Sequence, residues 1–258
     1  MLNRKIDNEI EAHFSNSKKA LFLTGARQVG KTYSIRKYAK LHGLNLIEFN
    51  FLLQPEAMDI INGAGDVKEL LLRISAYSRV PLVRSKTLIF FDEVQECPDV
   101  MTWVKALVDE GSYIYALSGS LLGVELKEIR SEPVGYMSEI QVYPREFEEF
   151  VSAVGVPENV LDAVKKSWSE KTLVDAYIHE KMMQLFQLYI IVGGMPAAVQ
   201  TYIDSNNIQN VVKEQSDIIN LYKKDIARYD QDVRKKLYIN EVFDLIPSEL
   251  NAKNKRFI

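Results

Sequence analysis

Eight consecutive residues near the start of the chain carry the pattern of a phosphate-binding loop. Residues 25–32 read Gly-Ala-Arg-Gln-Val-Gly-Lys-Thr, and an apolar run typical of a strand precedes them. The spacing of Gly25, Gly30, Lys31 and Thr32 is that of the Walker A motif, in which a strand leads into the loop and a helix follows it. Glycine permits close approach of the backbone to a ligand, and the amides of the loop and of the helix N-terminus would point at phosphate.

The whole loop is therefore predicted to bind the phosphates of a nucleotide. Lys31 would bring a positive charge to the β and γ phosphates, which also makes it a candidate catalytic residue, and the Thr32 hydroxyl would bind Mg²⁺. The predicted phosphate-binding residues are Gly25, Ala26, Arg27, Gln28, Val29, Gly30, Lys31 and Thr32.

A second motif supplies the acidic residues that such a loop needs for metal binding and catalysis. Residues 87–93 read Thr-Leu-Ile-Phe-Phe-Asp-Glu, an apolar run that ends in two acids. This pattern indicates a buried parallel strand that delivers carboxylates to its C-terminal edge, where ligands of open α/β sheets bind. Asp92 is the candidate Walker B ligand of Mg²⁺, and Glu93 is the candidate general base for an attacking water.

A third apolar run, residues 113–117, is followed by Ser118-Gly119-Ser120. A hydroxyl at the tip of a strand beside the Walker B strand would hydrogen-bond the γ-phosphate or the attacking water, so both serines are candidate nucleotide-contacting sensors. The alternative is an ordinary turn rich in serine and glycine. The sequence does not choose between Ser118 and Ser120.

Composition indicates a cytoplasmic globular protein. The 258 residues are 47% hydrophobic and 26% charged, which is enough apolar content for a sizeable core, and the net charge of −3 gives no general attraction to nucleic acid. The single cysteine, Cys97, excludes an intrachain disulfide and is expected to be a buried or incidental thiol. No secretory signal is expected, and the most apolar window, residues 185–199, is too interrupted to span a membrane.

The order of apolar and amphipathic segments predicts an α/β fold followed by helices. Strands are expected near residues 20–23, 45–51, 87–91, 113–117 and 140–143, and helices between them give a parallel five-stranded sheet. The chain is expected to divide into a P-loop ATPase core (1–144), a helical lid beside the nucleotide site (145–230) and the start of a further C-terminal domain (231–258). Within the lid, Gly193-Gly194 is interpreted as a tight turn between helices.

The motifs together resemble those of a known group of proteins. Beside the loop at 25–32, the strings Phe-Asp-Glu-Val-Gln at 91–95, Leu-Ser-Gly-Ser-Leu-Leu at 117–122 and Val-Gly-Gly-Met-Pro at 192–196 carry the resemblance. The chain is similar over nearly its whole length to prokaryotic AAA-type P-loop ATPases in which a core of the AAA domain 14 type precedes a C-terminal domain of unknown function, number 4143.

The resemblance implies an AAA-like core with a helical lid, ATP or ADP and Mg²⁺ as ligands, and a C-terminal domain that is largely missing from these 258 residues. Many members of the group carry arginine at the position of Tyr136, so an arginine finger is not expected there. Arg130 and Arg228 are the remaining candidates for that role, with surface salt bridging as the alternative. Many AAA-type sites are completed between subunits, so the resemblance is compatible with an oligomer, although no particular residue of this chain indicates one.

The motifs and the resemblance together predict one of two functions. The first is Mg²⁺-dependent ATP hydrolysis used as a conformational switch that reports to a protein partner or to the C-terminal domain. The second is an ATP-regulated DNA-binding module, because residues 221–258 hold nine Lys or Arg against six acids, although a solvated helix face also explains this excess. A GTPase is disfavoured because residues 251–255 do not supply an Asn-Lys-x-Asp element, and a small-molecule kinase because the helical segment offers few arginines.

Overall fold

A parallel β-sheet forms the centre of the computed structural model, which describes residues 4–120, 135–226 and 233–251. The strands are β1 (Ala20–Gly25), β2 (Asn45–Asn50), β3 (Thr87–Asp92), β4 (Ile114–Ser120) and β5 (Met137–Val142). Their order in the sheet is β2-β3-β4-β1-β5, and each neighbouring pair is parallel. The prediction of a five-stranded parallel sheet is confirmed.

Helices connect the strands and fill the second half of the chain. They are α1 (Lys5–Asn16), α2 (Lys31–Leu41), α3 (Met58–Asn62), α4 (Val67–Tyr77), α5 (Val100–Glu110), α6 (Phe147–Ala153), α7 (Glu158–Glu170), α8 (Ala176–Val192), α9 (Pro196–Ser205), α10 (Ile208–Ile226) and α11 (Val233–Asn251). Single turns of 3₁₀-helix lie at Pro55–Ala57 and Val94–Glu96. The sequence patterns did not predict α3 and α9.

The two faces of the sheet bury separate apolar clusters, because successive side chains of a strand point to opposite faces. One cluster contains Phe49 of β2 and Phe91 of β3, whose rings stack with centroids 5.6 Å apart. The other contains Leu23 of β1 and Phe90 of β3 and includes buried residues of α1 and α2. Burial on both faces explains why the strands read as continuous apolar runs.

The chain splits into two compact units, Met1–Phe186 with Gly194–Pro196, and Gln187–Gly193 with Ala197–Ile258. Gly193-Gly194 separates α8 from α9, as expected of an interhelical turn. A Cβ at Gly194 would lie 2.2 Å from the carbonyl oxygen of Arg145, so only glycine fits there without a backbone shift.

Among the described residues no single helix is long and apolar enough to cross a membrane, although α8 and α9, bent by 119° at their junction, pass that test as a pair.

We expect Phe49→Ala to destabilise the first of the two compact units, which contains the β-sheet, by about 3–5 kcal/mol, because it removes a fully buried ring that stacks on Phe91. The measurement is urea unfolding followed by the fluorescence of Trp103, which packs against the same cluster, in a Trp168→Phe background. Leu53→Ala, at an exposed position, is the control and should change the free energy of unfolding by less than about 0.5 kcal/mol. Equal effects of the two changes would contradict this account of the core.

Candidate functional site

The loop at 25–32 leaves the C-terminal end of β1 in the conformation its glycines were expected to allow. Gly25 has φ +142° and pairs in register with Val142 of β5. A Cβ at Gly25 would lie 2.2 Å from the carbonyl oxygen of Val142, so a side chain there would displace the loop from the edge of the sheet. Gly30 follows in the left-handed region and caps the N-terminus of α2, where Lys31 is the first helical residue.

The Lys31 ammonium group folds over the first part of the loop. Its Nζ donates hydrogen bonds to the carbonyl oxygens of Gly25 at 2.9 Å and Ala26 at 2.8 Å. The side chain is buried, and this burial lowers the pKa of Lys31, whereas the nearby carboxylates of Glu93 and Asp92 act in the opposite direction. The loop therefore holds a desolvated positive charge at the place where the motif predicts phosphate.

The Asp92 carboxylate lies at the centre of the site and accepts hydrogen bonds from three elements. Thr32 Oγ1 donates to Asp92 Oδ2 at 2.9 Å, and Asn50 Nδ2 donates to the same oxygen at 3.0 Å. Ser118 Oγ donates to the other oxygen, Oδ1. Burial raises the pKa of Asp92, and the hydrogen bonds from Ser118 and Thr32 act against that rise. The structure thus brings together the predicted metal-binding pair, Thr32 and Asp92.

Glu93 follows β3 in an unusual backbone conformation. Its φ of +57° lies in the left-handed region, which non-glycine residues adopt at a cost and which recurs at functional sites. Gln95 Nε2 donates a hydrogen bond to Glu93 Oε2, and Gln95 Oε1 accepts one from the backbone N–H of Ser120 at 3.4 Å. Gln95 therefore connects the candidate general base to the end of β4.

The structure distinguishes the two serines that the sequence left equivalent. Both belong to β4, because pairing with β1, in the register Gly25 with Ser120, extends the strand through these residues, so the alternative of an ordinary turn at 118–120 does not hold. The Ser118 hydroxyl is committed to Asp92. The Ser120 hydroxyl is buried, with 6% of the residue exposed, and has no hydrogen-bond partner among the described residues.

The remaining predicted residues surround this centre or lie elsewhere. In the loop, Ala26 is half-buried, Arg27 and Val29 are buried, and Gln28 is exposed with a φ of +63°.

Cys97 is buried in the core, which raises its pKa to about 11 and makes it a poor nucleophile. The candidate arginines, Arg130 and Arg228, lie outside the described residues.

Three residues in contact with the site were not identified from the sequence. Asn50 ends β2 directly beside Asp92 in register, so the rule that located Asp92 at a strand end would also have located it. Gln95 belongs to the string at 91–95 that carries the family resemblance, but its residue type alone does not indicate a contact with Glu93. Arg4, which donates a hydrogen bond from Nη1 to the carbonyl oxygen of Val29 at 2.5 Å, gives no signal in the sequence.

The arrangement defines an α/β P-loop fold with a helical C-terminal segment, in which the phosphate-binding loop meets an acidic strand end. Residues 17–151, more than half of the chain, match the family described as AAA domain. The chain belongs to this AAA family of P-loop ATPases, and family and site together support the binding of ATP. Residues 183–257 match a domain of unknown function numbered 8612, so the expected relation to domain 4143 is not confirmed.

Solved structures with a similar fold include the Walker-type ATPase PABY2304 of Pyrococcus abyssi, at 15% identity and a TM-score of 0.49, covering 97% of this chain and 77% of that one. The Drosophila ORC bound to DNA is similar at 11% identity and a TM-score of 0.45, covering 82% and 65%. PCH-2 of C. elegans is similar at 14% identity and a TM-score of 0.43, covering 83% and 70%. No curated protein matches the chain.

We expect Asp92→Asn to stabilise the protein by about 1 kcal/mol at pH 7 when neither nucleotide nor Mg²⁺ is added, because it removes a buried charge. A pKa that is higher in the folded than in the unfolded state means that the folded state binds more protons. The parent protein therefore loses stability as the pH rises through the pKa of Asp92 in the folded state, whereas the asparagine of Asp92→Asn does not titrate. The difference in the free energy of unfolding between Asp92→Asn and the parent should be largest at neutral pH and should decrease as the pH falls and Asp92 of the parent becomes protonated.

The measurement is urea unfolding at several pH values, with Asp109→Asn as the exposed control. The control should leave stability within about 0.5 kcal/mol of the parent. A destabilised Asp92→Asn protein would show that the three hydrogen bonds contribute more than the burial of the charge costs.

Proposed function

We propose that the chain hydrolyses ATP with Mg²⁺ at the junction of the loop and the end of β3. The observation that carries the proposal is the 2.9 Å hydrogen bond between Thr32 Oγ1 and Asp92 Oδ2. These are the two protein oxygens that a P-loop ATPase uses for its metal. The buried Lys31 lies on the same loop, and Glu93 directly follows Asp92.

The residues present fit a magnesium ion that is shared with a nucleotide. Thr32 and Asp92 offer hard oxygen donors, which Mg²⁺ prefers. Among the described residues no group of three or more His, Cys, Asp or Glu side chains could hold a metal ion without other ligands. Mg²⁺ usually binds through one or two protein oxygens together with phosphate oxygens and water. Bound there, Mg²⁺ would neutralise charge on the transferring phosphoryl group.

Glu93 is the group we assign to the attacking water. Its carboxylate would orient the water and accept its proton while Lys31 stabilises the charge that develops on the phosphate. We assign different tasks to the two serines. Ser118 orients Asp92 through its hydrogen bond, whereas the buried hydroxyl of Ser120, which has no hydrogen-bond partner within residues 4–120, 135–226 and 233–251, would contact the γ-phosphate or the water.

We further propose that hydrolysis serves as a conformational switch. Binding and loss of the γ-phosphate would change the conformation of the helical segment after residue 145 or the contacts with a protein partner. Turnover by the chain alone should be slow if no arginine finger is supplied, since such a group contributes several orders of magnitude. Oligomerisation and the weak DNA binding suggested by residues 221–258 remain predictions.

We expect Lys31→Ala to abolish measurable ATP binding, because it removes the cation that meets the β and γ phosphates. Glu93→Gln should bind ATP with Mg²⁺ as the parent does but hydrolyse it at least about a hundredfold more slowly, the usual contribution of a general base. Binding is measured by isothermal titration calorimetry and hydrolysis by phosphate release.

Lys40→Ala is the control for Lys31→Ala, since it removes an exposed lysine from the same helix and should bind and hydrolyse ATP normally. Normal ATP binding by Lys31→Ala would show that the site is assigned wrongly. Hydrolysis by Glu93→Gln at the parental rate would show that Glu93 is not the base.

Replacement of Ser118 and replacement of Ser120 should change different kinetic quantities of ATP hydrolysis. Ser118→Ala removes a donor to Asp92 and is expected to raise the Mg²⁺ concentration needed for half-maximal activity, because the metal ligand loses its orientation. Ser120→Ala is expected to lower the rate at saturating ATP and Mg²⁺ by about tenfold, the loss of one hydrogen bond to a charged group. The measurement is the rate of phosphate release over a range of Mg²⁺ concentrations. The reverse pattern, with Ser120→Ala changing the Mg²⁺ requirement, would overturn these assignments.

A further inference from the structure

A buried guanidinium group contacts the phosphate-binding loop on its outer side. Arg4, the residue that precedes α1, donates from Nη1 to the carbonyl oxygen of Val29 at 2.5 Å and from Nη2 to the carbonyl oxygen of Tyr143 at 2.7 Å. A Cβ at Gly30 would lie 3.2 Å from the same Nη1, so the guanidinium also lies against the next residue of the loop. The Arg4 side chain is 5% exposed.

The position of Arg4 is itself fixed by the start of α6. Glu149 Oε1 lies 3.6 Å from Arg4 Nε and accepts a hydrogen bond from the backbone N–H of Lys5 at 2.8 Å. The other oxygen of Glu149 accepts from the backbone N–H of Glu146 at 3.2 Å. This carboxylate therefore joins the beginnings of α1 and α6 and compensates the buried charge of Arg4, which a protein interior does not tolerate alone.

The hydrogen bond to Val29 determines the direction of a loop amide. The carbonyl of Val29 and the N–H of Gly30 belong to one planar trans peptide, in which the two bonds point in opposite directions. A guanidinium that holds the carbonyl outward thus aims the N–H of Gly30 inward, toward the position that the motif assigns to phosphate. A charged donor on the carbonyl also polarises the peptide and strengthens its N–H as a donor.

We propose that Arg4 is a positioning residue for nucleotide binding, which acts on the phosphates through the Val29–Gly30 peptide. The inference rests on the proposed function, because it requires that the loop binds nucleotide phosphates. Loop amides bind the phosphates that ADP and ATP share, so Arg4 determines affinity for both nucleotides. It does not contact the reacting atoms, and the rate at saturating ATP is independent of it.

Lys37 provides a matched control on the neighbouring helix. Its Nζ pairs with Asp7 Oδ2 of α1 at 2.7 Å, and its side chain is 5% exposed, as is that of Arg4. Asp7 Oδ2 also accepts a hydrogen bond from the backbone N–H of Arg4 at 2.9 Å. Lys37→Met therefore removes a buried cation beside the same start of α1 and leaves in place the hydrogen bond from the Arg4 guanidinium to the carbonyl oxygen of Val29. A general loss of stability should therefore appear in Lys37→Met as well as in Arg4→Met.

The experiment compares Arg4→Met, Arg4→Lys and Lys37→Met with the parent by calorimetric titration with Mg²⁺ and ADP or a non-hydrolysable ATP analogue. We expect Arg4→Met to weaken both nucleotides about tenfold, and Arg4→Lys to weaken them less, because it keeps the charge but loses the fork of donors. Lys37→Met should bind within about twofold of the parent even where its unfolding temperature falls as far as that of Arg4→Met.

Two further readouts separate positioning from a merely structural role. The rate of phosphate release at saturating ATP should stay within about twofold of the parent in Arg4→Lys, because the contact is present before and during the reaction. The amide resonance of Gly30, followed by nitrogen-proton NMR, should shift less on ADP binding in Arg4→Lys than in the parent. If Arg4→Met does not fold, the binding, rate and resonance of Arg4→Lys decide the question.

Parental affinity in both Arg4 variants, or an equal loss of affinity in Lys37→Met, would overturn the role of Arg4 alone. A lowered rate at saturation with unchanged affinity would also overturn it, since Arg4 would then act on the chemistry. A parent protein that binds neither nucleotide would overturn the proposed function and this inference with it, so the two failures are distinguishable.

Discussion

The buried carboxylate of Asp92 is the interaction on which the rest of the site depends. It receives hydrogen bonds from Thr32 at the start of α2, Asn50 at the end of β2 and Ser118 in β4. Hydrogen bonds to a charged group contribute about 1.5–3 kcal/mol each, whereas burying an isolated charge costs several kcal/mol. Three donors at one sheet edge offset the cost of this burial, so the order of the strands in the parallel sheet also assembles the site.

The strands of the central sheet and the acidic residues Asp92 and Glu93 were predictable because they depend on local sequence patterns. Strands buried on both faces must be apolar throughout, so residues 87–91 could be recognised as a strand and Asp92 placed at its C-terminal edge. The strand-end rule also reaches Asn50 and Ser118, but their hydrogen bonds to Asp92 depend on the order of the strands, which no local pattern contains: β3 lies between β2 and β4. An ordinary turn at 118–120 is an alternative from the sequence because Ser-Gly-Ser favours turns, and pairing with β1 overrides that preference.

Long-range contacts account for most of what the sequence did not reveal. Arg4 looks like an ordinary charged residue before a helix, but it is buried and donates a hydrogen bond to the carbonyl oxygen of Tyr143, 139 positions further along the chain. The sequence patterns predict the turn at Gly193-Gly194 but not the bounds of α9 after it, although Pro196 stands at the first position of that helix, where proline often begins a helix. The requirement for glycine at 194 likewise arises from Arg145, which is distant in sequence.

The two central charges of the site suggest why the nucleotide and the metal should bind together. Burial shifts the pKa of Lys31 downward and that of Asp92 upward, so each group is disfavoured in its charged form. Phosphate would supply the opposite charge to Lys31, and Mg²⁺ would do so for Asp92, while phosphate and Mg²⁺ also neutralise each other. Either ligand alone would leave one of the two buried groups without the ligand charge that favours its ionised form. Binding of one should therefore strengthen binding of the other, a coupling that by thermodynamic necessity is reciprocal.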